Sequence, residues 1–303
     1  MKQFITAIVI ASTLLIAQGC SSQVKSGKTT ATDAAVAQKN PHTGHGKIDS
    51  TTPNVEENPH ESHSGQSKLE PANATAKLSV PSRITPKTPV PLVIEVQDKN
   101  AQAIASFDTF QEKQMHLIMV SNDLQYFNHL HPTYKGNGRF EVQANFPQPG
   151  GYTLFSDYKP AGKAEQVSVL KAQVPGNSPS ASTKTDLTTT KTFGSTKANL
   201  KFSQPTLKAA KEVHLIFNLQ DAANNQPLKD LKPYLGERGH LVILKQSSPL
   251  TEADYIHAHA LKNTPAGEVH FITSFPQAGK YKMWGQFNRN GKIITADFWI
   301  DVQ

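Results

Sequence analysis

Apolar and polar residues alternate with a period of two through two long stretches of the chain. Near the C-terminus Ile294, Ala296, Phe298, Ile300 and Val302 alternate with Thr295, Asp297, Trp299 and Asp301, the pattern of a strand that buries one face. Asn290-Gly291 separates two such runs, and a type I′ hairpin turn needs positive φ at both positions, which this pair tolerates. Pro147-Gln148-Pro149-Gly150 and Pro276-Gln277-Ala278-Gly279 read as further turns between strands. The spacing predicts about seven short strands in each stretch and no helix. The expected fold is all-β, two tandem seven-stranded antiparallel β-sandwiches.

The two stretches repeat each other. PLVIEVQD, ending at Asp98, answers to HLIFNLQD, ending at Asp221, and MHLIMV around His116 answers to GHLVIL around His240. YFNHLHP answers to YIHAHA, and GRFEVQANFPQPGGYTLFSDY to GEVHFITSFPQAGKYKMWGQF. The offset grows from 123 or 124 to 128 or 129 between His116 and His129, so the repeats differ mainly in one loop.

Between these stretches the apolar pattern lapses. Residues 20–76 and 174–197 are rich in Ser, Thr, Asn, Gln, Pro and Gly, and such segments cannot bury enough surface to offset their ordering entropy. The expected organisation is a leader at 1–19, a disordered tether at 20–76, one sandwich at 77–173, a linker at 174–197 and a second sandwich at 198–303. The leader places Lys2 before an apolar run from Phe4 to Ala17, which has the form of a secretory signal. It ends at Gly19-Cys20, and the arrangement resembles a bacterial lipobox, although Ala17 and Gln18 stand where that signal prefers Leu and a small residue. The resemblance implies a lipid on the Cys20 thiol and a mature chain that is extracytoplasmic and membrane-anchored, periplasmic or at the cell surface.

Composition sharpens this picture. One Cys among 303 residues excludes an internal disulfide and any multi-thiolate metal site. The hydrophobic fraction of 37% argues against several membrane spans. The net charge of +7 comes without a basic block interleaved with aromatics, so no nucleic-acid partner is expected.

The twelve histidines carry the candidate chemistry. His42, His45, His60 and His63 lie in the tether, where flexible His-rich tracts bind Cu(II) or Zn(II) loosely. His214 and His270 have no histidine counterpart in the other repeat. The remaining six form one pattern twice: His116 with His129 and His131, and His240 with His257 and His259. Residues i and i+2 of a strand share a face, so each His-x-His pair projects together. If opposed residues sum to 247 in the first hairpin and 499 in the second, His116 faces His131 and His240 faces His259. Directly opposed side chains share a face, with Cβ atoms roughly 5 Å apart. The span from first to last His grows from 15 to 19, and an even insertion preserves that parity.

Three imidazoles without a thiolate suit Cu(II) or Zn(II) and exclude a blue-copper site. Two such sites are expected, one per repeat, with the tether histidines as low-affinity collectors. A strand-end histidine hydrogen-bonded to backbone is the alternative for each. Met115 and Met119 lack counterparts and are expected in the core. Asp157 has Gln286 as its counterpart, so a carboxylate used by both units is not expected. No nucleophile elbow is present, and the chain is not expected to be an enzyme.

The blocks HLIMVSNDLQYFNHLHP and GHLVILKQSSPLTEADYIHAH, each followed by a Phe-Pro turn and an aromatic strand, resemble those of a group of bacterial secreted proteins and lipoproteins. That group has tandem cupredoxin-like or immunoglobulin-like β-sandwich domains linked to heavy-metal handling. The resemblance covers both repeats and departs at Ala260, where the first repeat has Pro132. It adds to the expectation of a membrane-anchored protein that buffers or delivers copper, with zinc as the alternative ion. Its partners would be the membrane and another envelope metal-handling protein. A structural or adhesive envelope module without bound metal is the competing expectation.

Overall fold

The computed structural model describes residues 69–178 and 185–303, all of which fall in one compact unit. Cys20, His42, His45, His60, His63 and the leader lie outside the described residues. The first repeat contains β1 (Ala74–Ser79), β2 (Pro89–Asp98), β3 (Met115–Ser121), β4 (Phe127–Leu130), β5 (Thr133–Gly136), β6 (Arg139–Asn145), β7 (Gly150–Tyr158) and β8 (Gln166–Val174). Its sheets run β1-β2-β6-β5 and β4-β3-β7-β8. That order is the immunoglobulin-like arrangement with one extra edge strand on the second sheet.

The second repeat contains β9 (Thr190–Phe193), β10 (Thr196–Phe202), β11 (Glu212–Asp221), β12 (Leu231–Lys232), β13 (His240–Lys245), β14 (Tyr255–His259), β15 (Glu268–Ser274), β16 (Gly279–Arg289) and β17 (Lys292–Val302). One sheet runs β9-β10-β11-β15, and in the other β16 joins β12, β13 and β17 while β14 lies outside β13. The only helical turn among the described residues is the 3-10 turn Glu252–Asp254. Asn290 and Gly291 both have positive φ, 51° and 85°, as the hairpin joining β16 and β17 requires.

The eight and nine strands exceed the seven expected per repeat. The difference includes β5, β9 and β12, pieces of four, four and two residues that are too short to carry a readable period. Two boundaries also move. β1 starts at Ala74, inside the stretch expected as tether, and β9 and β10 start inside the expected linker. In β10 the buried positions Thr196 and Ala198 are polar or small, so burial leaves no apolar signature.

Each sandwich has its own core. Leu92, Ile94 and Val96 of β2 and Phe140 of β6 meet Met115, Leu117, Met119 and Leu154 of the facing sheet. Leu215, Phe217 and Leu219 of β11 and Phe271 of β15 meet Leu241, Ile243, Met283 and Phe298. The two methionines are core residues, as expected.

A third apolar cluster joins the repeats. Ile118, Val120, Leu124 and Phe155 of the first pack with Val242, Leu244, Leu250, Trp284 and Trp299 of the second. Strands β3 and β13 are therefore buried on both faces. One face meets its own sandwich core and the other meets the opposite repeat. Burying an aliphatic or phenylalanine side chain contributes about 1.5–3 kcal/mol, so this cluster is a substantial part of what holds the two sandwiches together.

Candidate metal centre

The doubly buried strands determine where the histidines go. On β3, Leu117 and Met119 point into the first core, so His116 shares the outward face with Ile118 and Val120. On β13, Leu241 and Ile243 point into the second core, which puts His240 outward with Val242 and Leu244. Both hairpins adopt the expected register. Leu117 pairs with Leu130 and Ile118 with His129, and His240 pairs with His259. The two outward faces then close on each other, and the histidines of both repeats meet at one end of the interface.

His116, His129 and His131 each offer a ring nitrogen within 4.8 Å of those of the other two. His116 is fully buried and the other two are half-buried. Their hydrogen-bond partners specify the tautomers. His116 Nε2 lies 3.2 Å from the carbonyl oxygen of Phe110, and His129 Nδ1 lies 2.8 Å from Gln286 Oε1. The Gln286 amide nitrogen donates in turn to Thr295 Oγ1 at 3.4 Å. Both oxygens only accept, so both of those ring nitrogens carry hydrogen.

What remains is His116 Nδ1 facing His129 Nε2 at 3.0 Å. In neutral rings with these tautomers, both atoms present a lone pair. A proton on one of them would resolve the contact, but burial opposes it. Desolvation, countered in part by the Phe110 carbonyl, lowers the His116 pKa to about 4. Burial and the neighbouring His131 hold His129 well below its ordinary value. Desolvation and the neighbouring His116 lower His131 to about 4. At neutral pH the three rings are uncharged, with two lone pairs converging and the buried Nε2 of His131 lacking a partner. A cation accepting these nitrogens fits the arrangement, and three neutral imidazoles are a suitable donor set for Cu(II) or Zn(II).

The second triplet does not form a separate site. The His240 ring centroid lies 4.4 Å from that of His129, 5.7 Å from His116 and 4.5 Å from His257. The expected two sites therefore merge into one seam of five rings between the repeats. Burial and the neighbouring His257 hold His240 well below its ordinary pKa. Neither of its nitrogens has a hydrogen-bond partner.

His259 sits at the rim. It stacks on His257 at 5.1 Å, but its side chain is 54% exposed. Its Nδ1 lies 3.2 Å from Glu237 Oε1 and 3.0 Å from Gln111 Nε2. The hydrogen bond to Glu237 raises its pKa against the opposing effect of burial. The even spacing predicted which face His259 would occupy. At the strand end that face lies beside Glu237, at the edge of the covered zone.

Asp157 is the residue the repeat comparison passed over. The residue is 2% exposed, and Oδ2 lies 3.2 Å from His257 Nδ1 and 3.2 Å from the Tyr255 hydroxyl, which donates to it. Asp157 and Gln286 differ in chemistry but occupy equivalent positions, each receiving a histidine from the opposite repeat. A usable signal was the unbroken apolar runs LIMV after His116 and LVIL after His240, which mark strands buried on both faces. His214 and His270 lie on β11 and β15, away from the seam, with His270 Nε2 2.7 Å from Glu268 Oε2.

Solved structures similar to this chain include bacterial adhesins. The Escherichia coli adhesin FdeC matches at 15% identity and a TM-score of 0.24, covering 75% of this chain and 64% of its own. The Yersinia pseudotuberculosis adhesin InvE matches at 8% identity and a TM-score of 0.24, covering 78% and 61%. The chain thus spans less than two thirds of the length of either structure. No curated protein matches the chain. A family match covers residues 70–174 and again 191–303, one copy on each sandwich. The chain accordingly belongs to the family of the DUF8832 domain of unknown function.

Proposed function

We propose that this protein is an extracytoplasmic, lipid-anchored metal-binding protein that buffers or hands on copper, with zinc as the alternative ion. The observation that carries the reading is the convergence of His116, His129 and His131, whose ring nitrogens lie within 4.8 Å of one another, with His131 Nε2 buried and without a partner. The same proposal has Cys20 as the lipid attachment site and His42, His45, His60 and His63 as weak collectors. No helix among the described residues is long and apolar enough to cross a membrane. Buffering needs no nucleophile or general base, so the reading is of a carrier and not of an enzyme.

The test is titration of the full chain with Cu(II) and with Zn(II), against a variant carrying His129→Ala and His131→Ala. Tether binding is common to both proteins, so the difference isolates the folded site. The proposal expects a class of tight sites present only in the parent. Identical isotherms for both ions would sink it.

A second reading, a structural or adhesive module without metal, draws on one observation. His129 and His257 are each hydrogen-bonded across the seam, to Gln286 and Asp157. Such contacts alone could serve to align the sandwiches. On that reading the titration shows tether binding only.

A further inference from the structure

Two equivalent turns, one from each repeat, meet at the end of the seam. In the first, Phe110 and Lys113 exchange both backbone hydrogen bonds, at 2.9 and 3.0 Å, around Gln111 and Glu112. In the second, Tyr234 and Glu237 do the same around Leu235 and Gly236. The offset between them is 124, as it is between His116 and His240. All central residues have positive φ, 45° and 64° in the first turn, 56° and 77° in the second. This is the type I′ turn, which favours Asn-Gly because a side chain is crowded in left-handed backbone. The second turn has glycine at one of the two positions. The first has none, so the greater strain lies in the turn that serves the histidine triplet.

That first turn is tied both to the site and to the opposite repeat. Phe110 supplies the carbonyl 3.2 Å from His116 Nε2, and its ring lies edge-on to the His116 ring, centroids 4.8 Å apart. Gln111 reaches over to the second repeat, where its Nε2 lies 3.0 Å from His259 Nδ1. Gln111 Oε1 is buried without a partner. Glu112 lies beside Gly236 of the other turn. The counterpart turn has no such role, since neither nitrogen of His240 has a hydrogen-bond partner, the Tyr234 carbonyl included.

A carrier has to release its ion, and here the ligands are covered. His116 is 0% exposed and the free Nε2 of His131 is buried, so an ion joins or leaves the three rings only when a covering group moves. We propose that the Phe110–Lys113 turn is the gate of the metal centre and that Gln111 with His259 is its latch. The inference rests on the metal-binding function proposed above. Swinging the turn outward lifts the Phe110 ring from His116 and withdraws the carbonyl beside Nε2, so one movement both uncovers and loosens a ligand. Left-handed strain favours opening, because the freed residues relax to ordinary φ. The latch opposes it with a hydrogen bond at the rim, where His259 is 54% exposed and water competes for the same groups. With strain and latch opposed, the turn rests closed and opens without unfolding either sandwich.

The experiment uses the full chain with His42, His45, His60 and His63 replaced by Ala, so that only the folded site holds an ion. The protein is loaded with Cu(II) and desalted, and release into excess EDTA is followed by stopped flow. A gate makes opening the slow step, so the release rate should reach a plateau as EDTA is raised. Gln111→Ala and His259→Ala should each raise that plateau about three- to tenfold, the effect of losing one hydrogen bond. Glu112→Gly relieves strain in the closed turn and should lower it about threefold. Equilibrium affinity should stay within about twofold in all three variants, since the ligands are untouched, and a melting curve for each verifies folding. Release that rises in proportion to EDTA without a plateau, or plateaus equal in parent and variants, overturns the gate while leaving the proposed function standing. A parent that retains no copper after desalting overturns both.

Discussion

Phe127 of the first sandwich lies flat on Trp284 of the second, ring centroids 4.8 Å apart and planes 15° from parallel. Its equivalent, Tyr255 on Phe155, stacks at 5.0 Å and 19°. These pairs flank the histidine seam, with Phe155 and Trp284 buried and Phe127 and Tyr255 partly buried against them. Replacing Trp284 by Ala should cost about 3–5 kcal/mol. Calorimetry should show one cooperative transition in the parent and two resolved transitions in Trp284→Ala. A single unshifted transition would mean that the sandwiches do not depend on this contact.

Gln286 holds His129 from the opposite repeat through one hydrogen bond of 2.8 Å. Replacing the outer-shell partner of a metal-bound histidine typically reduces affinity about 10–100-fold. Gln286→Leu should show a loss of that order in competition with a chelator, while Gln286→Glu, which keeps an acceptor, should recover much of it. Equal affinity in all three proteins would place Gln286 outside the centre.

His116 and His131 both fall from an ordinary pKa of 6.5 to about 4 on folding. The unfolded chain therefore takes up protons first as pH falls. The stability tied to these neutral rings is complete above pH 6.5 and is lost between 6.5 and about 4. For one ring this amounts to about 3 kcal/mol. Urea unfolding in the presence of a chelator should show the decline across that window, and it should become shallower in a His116→Gln, His131→Gln protein, in which the lowered pKa values of His129 and His240 still contribute. A profile level from pH 7 to 4 would contradict it.

Metal should stabilise the folded chain, because the unfolded chain lacks the convergent donors. Free ion at 100 times its dissociation constant contributes about 2.7 kcal/mol, read as a rise in Tm that a chelator reverses. His129→Ala with His131→Ala should abolish most of the rise. Exposed His259 predicts the opposite control: His259→Ala should leave affinity at the His116, His129 and His131 site within about twofold, since truncating surface groups has small effects.

Local periodicity determined a great deal about this protein. Alternation and the turn residues specify strands and hairpins, and the register supposed for them agrees with the observed pairing of Ile118 with His129 and of His240 with His259. These pairings follow from loop length and from the rule that opposed residues share a face, both of which operate within a few residues of chain. Tertiary structure decided what covers the outer faces. Alternation establishes that His116, Ile118 and Val120 point the same way, but it carries no information about a surface that is distant in sequence. Only the docking of β3 and β4 onto β13 and β14 turns two expected triplets into one seam, leaves His259 at its rim and brings Asp157 and Gln286 to the histidines of the opposite repeat. The burial that lowers the ring pKa values and strips the donors of partners comes from that docking, and with it the case for a bound ion.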